Sequence, residues 1–303
     1  MLDFLTDGLR AALRNTNLNS VYELRVRAGK PVVMNYGGNY TYLGSAGATD
    51  RQGAALVASS ADVEEIVYRA SNYSVYSVTE QMRQGFITGA HGERIGLGGM
   101  YVYEDGRVFA VKEVTSLNIR VPHEVAGCGE QVWRTCFQNG LTSVLLLSPP
   151  GRGKTTILRD LARLLCSGKP LNVLVSDERN EITAASMDFS LDTGAFTDVI
   201  RFARKSDALT AAVRAMRPDV IVTDELVSAE EIAAVAACVR GGVEVLASAH
   251  LRSIDALRIS PVFSVCVREK LFGYYVVLSE EGVGRVEGIY DADLQPLDAV
   301  AGC

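Results

Sequence analysis

The sequence is poor in the residues that build metal and disulfide frameworks. It has six cysteines and three histidines in 303 residues. The cysteines stand at 128, 136, 166, 238, 266 and 303, and no two form a Cys-x-x-Cys pair. With so few histidines beside them, no zinc-ligand spacing is present, and reduced thiols are expected. Long apolar runs are also missing: no stretch approaches the roughly 20 residues needed to cross a bilayer. The first 15 residues carry Asp3 and Asp7 among apolar positions at helical spacing, without the basic start and apolar run of a secretory leader. There is no basic excess either. The formal net charge is −6, and phosphate neutralisation needs a basic surface, so no nucleic-acid partner is expected. These absences point to a cytoplasmic protein that meets a membrane only through partners.

What the chain does have is apolar material, 48% of its residues. At this length that implies two packed domains, with the division predicted between 125 and 126. Residues 1–125 mix helix and strand. Helices are predicted at 2–14 and at 61–70, the latter with Ser60 as N-cap. Short strands are predicted at 22–26, 32–34 and 40–43, and a β-hairpin at 92–103 and 107–119 around Glu104-Asp105-Gly106. The chain changes character after Val121-Pro122. Helices at 130–138, 155–165, 206–216 and 229–239 alternate with strands at 143–147, 171–175, 220–223 and 243–248. Apolar strands separated by helices predict a parallel sheet covered on both faces. Strands at 275–279 and 284–289 close the domain as a hairpin.

The clearest chemistry lies at Ser148-Pro149-Pro150-Gly151-Arg152-Gly153-Lys154-Thr155-Thr156. An apolar strand enters a glycine-bearing turn, and the turn opens a helix, as a P-loop requires. Gly151 and Gly153 let successive N–H groups curl inward, and the helix start adds its positive end. Pro150, Gly151, Arg152, Gly153, Lys154, Thr155 and Thr156 are therefore the expected ATP-binding residues. Lys154 reaches the β- and γ-phosphates and Thr155 offers its hydroxyl to Mg²⁺. One departure from the G-x-x-x-x-G-K-[ST] pattern is Ser148 in place of the first glycine.

Hydrolysis needs a metal-side acid and a group to orient water. The apolar strand before Asp224-Glu225 supplies two acids, with Asp224 expected on the Mg²⁺ side and Glu225 on either side. A second strand ends in Asp177-Glu178-Arg179-Asn180-Glu181. Its acids fall at the C-terminal edge of the sheet, where ligands of open α/β folds bind. Glu178 is the preferred water activator and Glu181 the second choice. His250 ends the following strand and is placed to contact the γ-phosphate. The expected fold class is α/β, a RecA-like P-loop ATPase core with a smaller N-terminal α+β domain. Arginines are plentiful in both halves, and spacing does not choose among them.

Several segments outside the P-loop resemble the stage III sporulation protein AA family, relatives of the type II and type IV secretion ATPases. They are Glu23-Leu24-Arg25-Val26-Arg27-Ala28-Gly29-Lys30-Pro31, Ser74-Val75-Tyr76-Ser77-Val78-Thr79-Glu80-Gln81-Met82-Arg83-Gln84-Gly85-Phe86-Ile87-Thr88, Gly92-Glu93-Arg94-Ile95-Gly96-Leu97-Gly98-Gly99, and Ser116-Leu117-Asn118-Ile119-Arg120. The P-loop is similar too, since the family opens it with Ser-Pro-Pro. The resemblance implies a homo-oligomer, a hexameric ring with ATP between subunits. It implies membrane-protein partners of the stage III A sporulation complex, and work in the mother cell at the membrane around the forespore. It also makes Arg83, Arg94 and Arg120 the preferred arginine-finger residues. Two other expectations stay open at this level. One is a RecA-type nucleic-acid motor, against which the acidity argues. The other is an ATP-binding scaffold that does not turn over, against which the two acid-tipped strands argue.

Overall fold

A computed structural model of the chain describes residues 1–167, 171–185 and 189–297. Within them the chain divides into two compact units. The first is residues 1–123 with the described part of 184–190, and the second is the remainder.

The first unit contains α1 (Asp7–Leu13), β1 (Val21–Arg27), β2 (Val33–Tyr36), β3 (Asn39–Gly44), β4 (Gly47–Thr49), α2 (Ser60–Ala70), α3 (Thr79–Arg83), β5 (Phe86–Thr88), β6 (Arg94–Glu104) and β7 (Arg107–Arg120). Its strands form one antiparallel sheet in the order β4-β3-β2-β1-β7-β6-β5. Strand alternation puts one set of side chains on the core face. Ile87, Ile95, Ile119, Leu24 and Met34 occupy one register row across five strands, and all are buried. The next row reads Thr88, Arg94, Arg120, Glu23 and Asn35, and reaches solvent. Helix α2 covers the core face with Val63, Ile66, Val67 and Ala70.

Two local expectations shift here. The cap of α2 is Ser59, not Ser60. Ser59 is extended (φ −89°, ψ 169°) and accepts the Asp62 N–H at 3.1 Å, while Asp62 accepts the Ser59 N–H at 2.8 Å, a reciprocal capping box. Helix α1 begins at Asp7 rather than at residue 2. Leu2 has a left-handed φ of 63°, and its N–H donates at 2.7 Å to the buried Glu93 carboxylate. A tertiary partner for the amide outweighs the helical spacing of the sequence.

The second unit contains α4 (Glu130–Cys136), β8 (Val144–Leu147), α5 (Lys154–Leu165), β9 (Val173–Asp177), β10 (Thr197–Arg201), α6 (Lys205–Ala215), β11 (Val220–Leu226), α7 (Ala229–Arg240), β12 (Glu244–Ala249), α8 (Ile254–Ile259), α9 (Ser264–Arg268), β13 (Tyr274–Leu278) and β14 (Val286–Asp291). The sheet order is β10-β9-β11-β12-β8-β13-β14. Neighbours are parallel from β10 through β13, and β14 closes the edge antiparallel to β13. Both faces are dry. Along β8, Leu145 and Leu147 face a core shared with Leu209 of α6 and Val235 of α7, while Val144 and Leu146 face one shared with Ile157 and Leu161 of α5. Burial on both sides is why the strand is apolar at successive positions. Strand β10 escaped the sequence pattern because it is an edge strand, half-exposed, with only Val199 and Ile200 apolar among Thr197, Asp198 and Arg201. The short helices α3, α8 and α9 span five or six residues each, too few for a periodic signal. The five described cysteines are free thiols, and Cys303 lies outside the described residues.

Candidate functional site

Parallel pairing of β9, β11, β12 and β8, in that spatial order, puts all their C-terminal ends on one edge. At these ends stand Glu178 just after β9, Asp224-Glu225 in the last residues of β11, His250 just after β12 and the Ser148-to-Lys154 loop after β8. In the loop, Gly151 (φ +75°) and Gly153 (φ +87°) take left-handed conformations that L side chains rarely adopt. A Cβ at Gly153 would also lie 3.1 Å from the Gly284 nitrogen, whose N–H donates to the Arg152 carbonyl at 3.0 Å. The 12-residue helix α5 follows, and its first turn is anchored by the Ile157 N–H to the Gly153 carbonyl at 2.9 Å. The amides of Lys154, Thr155 and Thr156 precede that bond, so they are the open donors of the helix end. A backbone that tolerates no side chain beside open donors fits the phosphates of a nucleotide.

Lys154 is only 6% exposed. Its ammonium donates to the Ser148 carbonyl at 2.7 Å, the Pro149 carbonyl at 3.0 Å and the Ser148 hydroxyl at 3.2 Å. Burial pushes its pKa down to about 8, against the opposing pull of Glu225. Ser148 therefore has its own part in the loop: fully buried where the common pattern has glycine, it offers two acceptors to the lysine.

On the acid side, Asp224 is buried and lies 2.7 Å from the Lys205 ammonium. Burial raises its carboxyl to about 6, with Lys205 drawing it the other way. Glu225 points toward His250, with 3.0 Å between Nδ1 and Oε1, and lies 3.9 Å from Arg179. Burial and the nearby Lys154 lower the His250 pKa, and Glu225 opposes them. Glu178 is 3.9 Å from Lys205. Asp177 takes no part in this cluster. It is fully buried and accepts the Glu181 N–H and the Thr183 N–H, each at 2.8 Å, and the Thr183 hydroxyl at 2.8 Å. Arg159, on the P-loop helix, donates to the carbonyls of Glu181 (2.8 Å) and Ile182. The acidic loop is thus tied through its backbone to the helix that starts at Lys154, and the Glu181 side chain is exposed. Among the described residues no three His, Cys, Asp or Glu side chains form a group that could hold a metal alone. Thr155 and Asp224 are hard oxygen donors that suit Mg²⁺ only when phosphate oxygens complete the set.

The family model for sporulation stage III, protein AA matches residues 1–295. The chain belongs to that family. It is 33% identical over 288 residues to stage III sporulation protein AA of Bacillus subtilis, covering 93% of this chain and 90% of that protein. Among solved structures, the Legionella pneumophila ATPase DotB superimposes with a TM-score of 0.55 at 13% identity, over 88% of this chain and 74% of the other. The pilus retraction motor PilT with bound ADP gives 0.57 at 16% identity, over 88% and 76%. These likenesses show the fold of this member of the stage III AA family. It is an α/β, RecA-like P-loop ATPase core with a smaller N-terminal α+β domain.

The three arginines singled out in the stage III AA segments all lie in the first unit. Arg94 and Arg120 are register partners on β6 and β7, with Arg120 exposed. Arg94 stacks over Phe86 at 4.2 Å. Arg83 donates to the Phe109 carbonyl at 3.0 Å and pairs with Glu80 at 3.3 Å. Sequence reasoning missed Lys205, Glu231 and Arg159. A buried lysine at the first residue of a helix leaves no periodic mark, and Arg159 looks like any charge on a helix whose apolar stripe is already complete.

Proposed function

We propose that this protein is an Mg²⁺-dependent ATPase that works as a homo-oligomeric motor, a hexamer, in a sporulation assembly. The observation that carries this is the single sheet edge that gathers the P-loop, Asp224, Glu225, His250 and Glu178 from four adjacent parallel strands. Lys154 leaves its loop carbonyls for the β- and γ-phosphates of ATP, exchanging neutral acceptors for charged ones. Pro150, Gly151, Arg152, Gly153, Thr155 and Thr156 supply the rest of the cradle. Thr155 and, through water, Asp224 are the residues to hold Mg²⁺, whose chemistry is to neutralise charge on the transferring phosphoryl. Glu178 orients and polarises the attacking water. Glu225, held by His250, is the second acid, and His250 reports the γ-phosphate. Glu181 is the weaker assignment, since its contribution to the loop is through the backbone. An arginine from another subunit, drawn from Arg83, Arg94 and Arg120, stabilises the transition state.

Membership of the sporulation family supports a place in the mother cell at the membrane around the forespore. No helix among the described residues is long and apolar enough to cross a membrane. The chain is therefore proposed to reach that membrane through membrane-protein partners of the stage III A complex. PilT, whose structure holds ADP, is a motor of the same fold, which supports a motor that cycles between nucleotide states.

The test is ATP turnover by the purified protein beside Lys154→Ala, with mass by light scattering with and without ATP. Turnover lost by about 10²-fold or more in the variant, with ATP-dependent assembly, is the expected result. ATP binding without turnover, as a fixed monomer, would favour a scaffold.

A further inference from the structure

Lys205 is the first residue of α6, yet only 4% of it is exposed. Its ammonium lies 2.7 Å from Asp224, 3.6 Å from Glu231 and 3.9 Å from Glu178, and it donates to the Glu225 carbonyl. One cation thus touches the end of β11, the residue after β9 and the first turn of α7. Glu231 is itself held there, since its carboxylate accepts the Ser228 N–H at 2.9 Å within a capping box. A buried charge survives only when paired and hydrogen-bonded. Here three carboxylates share one positive partner, two of them, Asp224 and Glu231, mostly buried and Glu178 at the solvent edge, and without it they repel. Among the described residues no other ion pair brings a cation to both Asp224 and Glu178: Lys154 is held by its own loop, and Arg179 faces Glu225.

We infer that Lys205 is a positioning residue for this site: its ammonium holds the metal-side acid Asp224 and the water-side acid Glu178 at a fixed separation. It also makes that separation depend on where α6 sits. The inference rests on the ATPase reading above and deepens it. The first strands and the P-loop set where the phosphates lie. Lys205 sets where the two acids lie relative to each other, and through Glu231 it ties them to α7. A shift of α6 against the sheet would then change the acid geometry without touching the P-loop, and turnover and nucleotide binding become separable.

The experiment compares wild type, Lys205→Met and Lys205→Arg. Fluorescent ATP-analogue binding is measured in EDTA and in Mg²⁺, kcat and KM are measured for ATP, and thermal unfolding is followed as a check of folding. Metal-free nucleotide affinity should stay within about threefold in Lys205→Met, because the P-loop is intact. The Mg²⁺-dependent gain in affinity should shrink, and kcat should fall by about 10-fold or more with KM changed far less, the pattern of a lost transition-state arrangement. Lys205→Arg keeps a cation in the pocket, so it should fold even if Lys205→Met does not. Its planar fork does not place one nitrogen among three carboxylates, so kcat should again fall about 10-fold. Wild-type kcat in both variants overturns the inference. So does a Lys205→Met protein that needs less Mg²⁺ than wild type, since the ammonium would then be a plug and not a support. If wild type itself does not hydrolyse ATP, the ATPase reading fails, and the Mg²⁺-dependent gain in affinity still decides the role of Lys205.

Discussion

The two seven-stranded sheets of this protein handle charge in opposite ways. The antiparallel sheet of the first unit packs one face on a single core, and Arg94, Arg120 and Glu23 stand in a row on the other, half-buried at Glu23 and Arg94 and exposed at Arg120. The parallel sheet of the second unit has a core on each face. In its inner strands, charged residues have nowhere to go but the ends. Lys154, Asp224, Glu225 and Lys205 accumulate there: Asp224 pairs with Lys205, Glu225 with His250, and Lys154 with the carbonyls of its own loop. The lesson is that burial of both faces concentrates chemistry at an edge, whereas a one-sided sheet spreads charge over a face, where water screens it.

Substitutions break or sharpen that contrast. The largest effect expected is on turnover from the edge of the parallel sheet. Glu178→Gln should lower kcat by about 10²–10⁴-fold while ATP binding and the unfolding temperature stay close to wild type. Equal turnover in the variant would move the water activator to Glu225, and Glu225→Gln would then carry the loss. Next come the arginines of the first unit, Arg83 on α3 and Arg94 and Arg120 on its sheet. If one of its arginines serves another subunit, Arg83→Ala, Arg94→Ala or Arg120→Ala lowers turnover by about 10³-fold at little cost to folding. Doping such a variant with Lys154→Ala subunits should restore part of the activity, since each supplies what the other lacks. No recovery in any mixture would show that these arginines act only within the unit that carries them.

Stability gives the intermediate case. Leu146→Ala removes a fully buried side chain from the centre of the parallel sheet and should cost about 2–5 kcal/mol by denaturant unfolding. Tyr103→Ala, 65% exposed on the antiparallel hairpin, should cost no more than about 0.5 kcal/mol. Comparable losses would mean that the first sheet has a second covered face. The smallest effect tests where the units agree. Both carry a reciprocal capping box, Ser59 with Asp62 and Ser228 with Glu231. Ser59→Ala should cost about 1 kcal/mol and leave turnover alone. Ser228→Ala should cost a similar amount and also lower turnover, because its partner Glu231 faces Lys205.

Local pattern determined a good deal of this protein. Apolar runs and the 3.6-residue period located the strands of the second sheet other than β10 and the longer helices that cover it, and the glycines at 151 and 153 with Lys154 marked the loop between β8 and α5. Those features are written in consecutive residues, so each can be read where it stands. The strand-end acids could be named but not sorted. Asp177 and Glu178 are neighbours in sequence, yet one is buried under backbone N–H groups and the other faces Lys205. The capping residue of α2 slipped by one because Ser59 and Ser60 are alike until the backbone angles choose between them. Lys205 could not be read at all. It is 19 residues from Asp224 and 27 from Glu178, and only the order β9-β11 in the sheet, with α6 packed beside them, brings the three together. Charge that is paired within a strand or a turn belongs to the sequence; charge that is paired across strands belongs to the topology, because the partner is chosen by which strand lies next door.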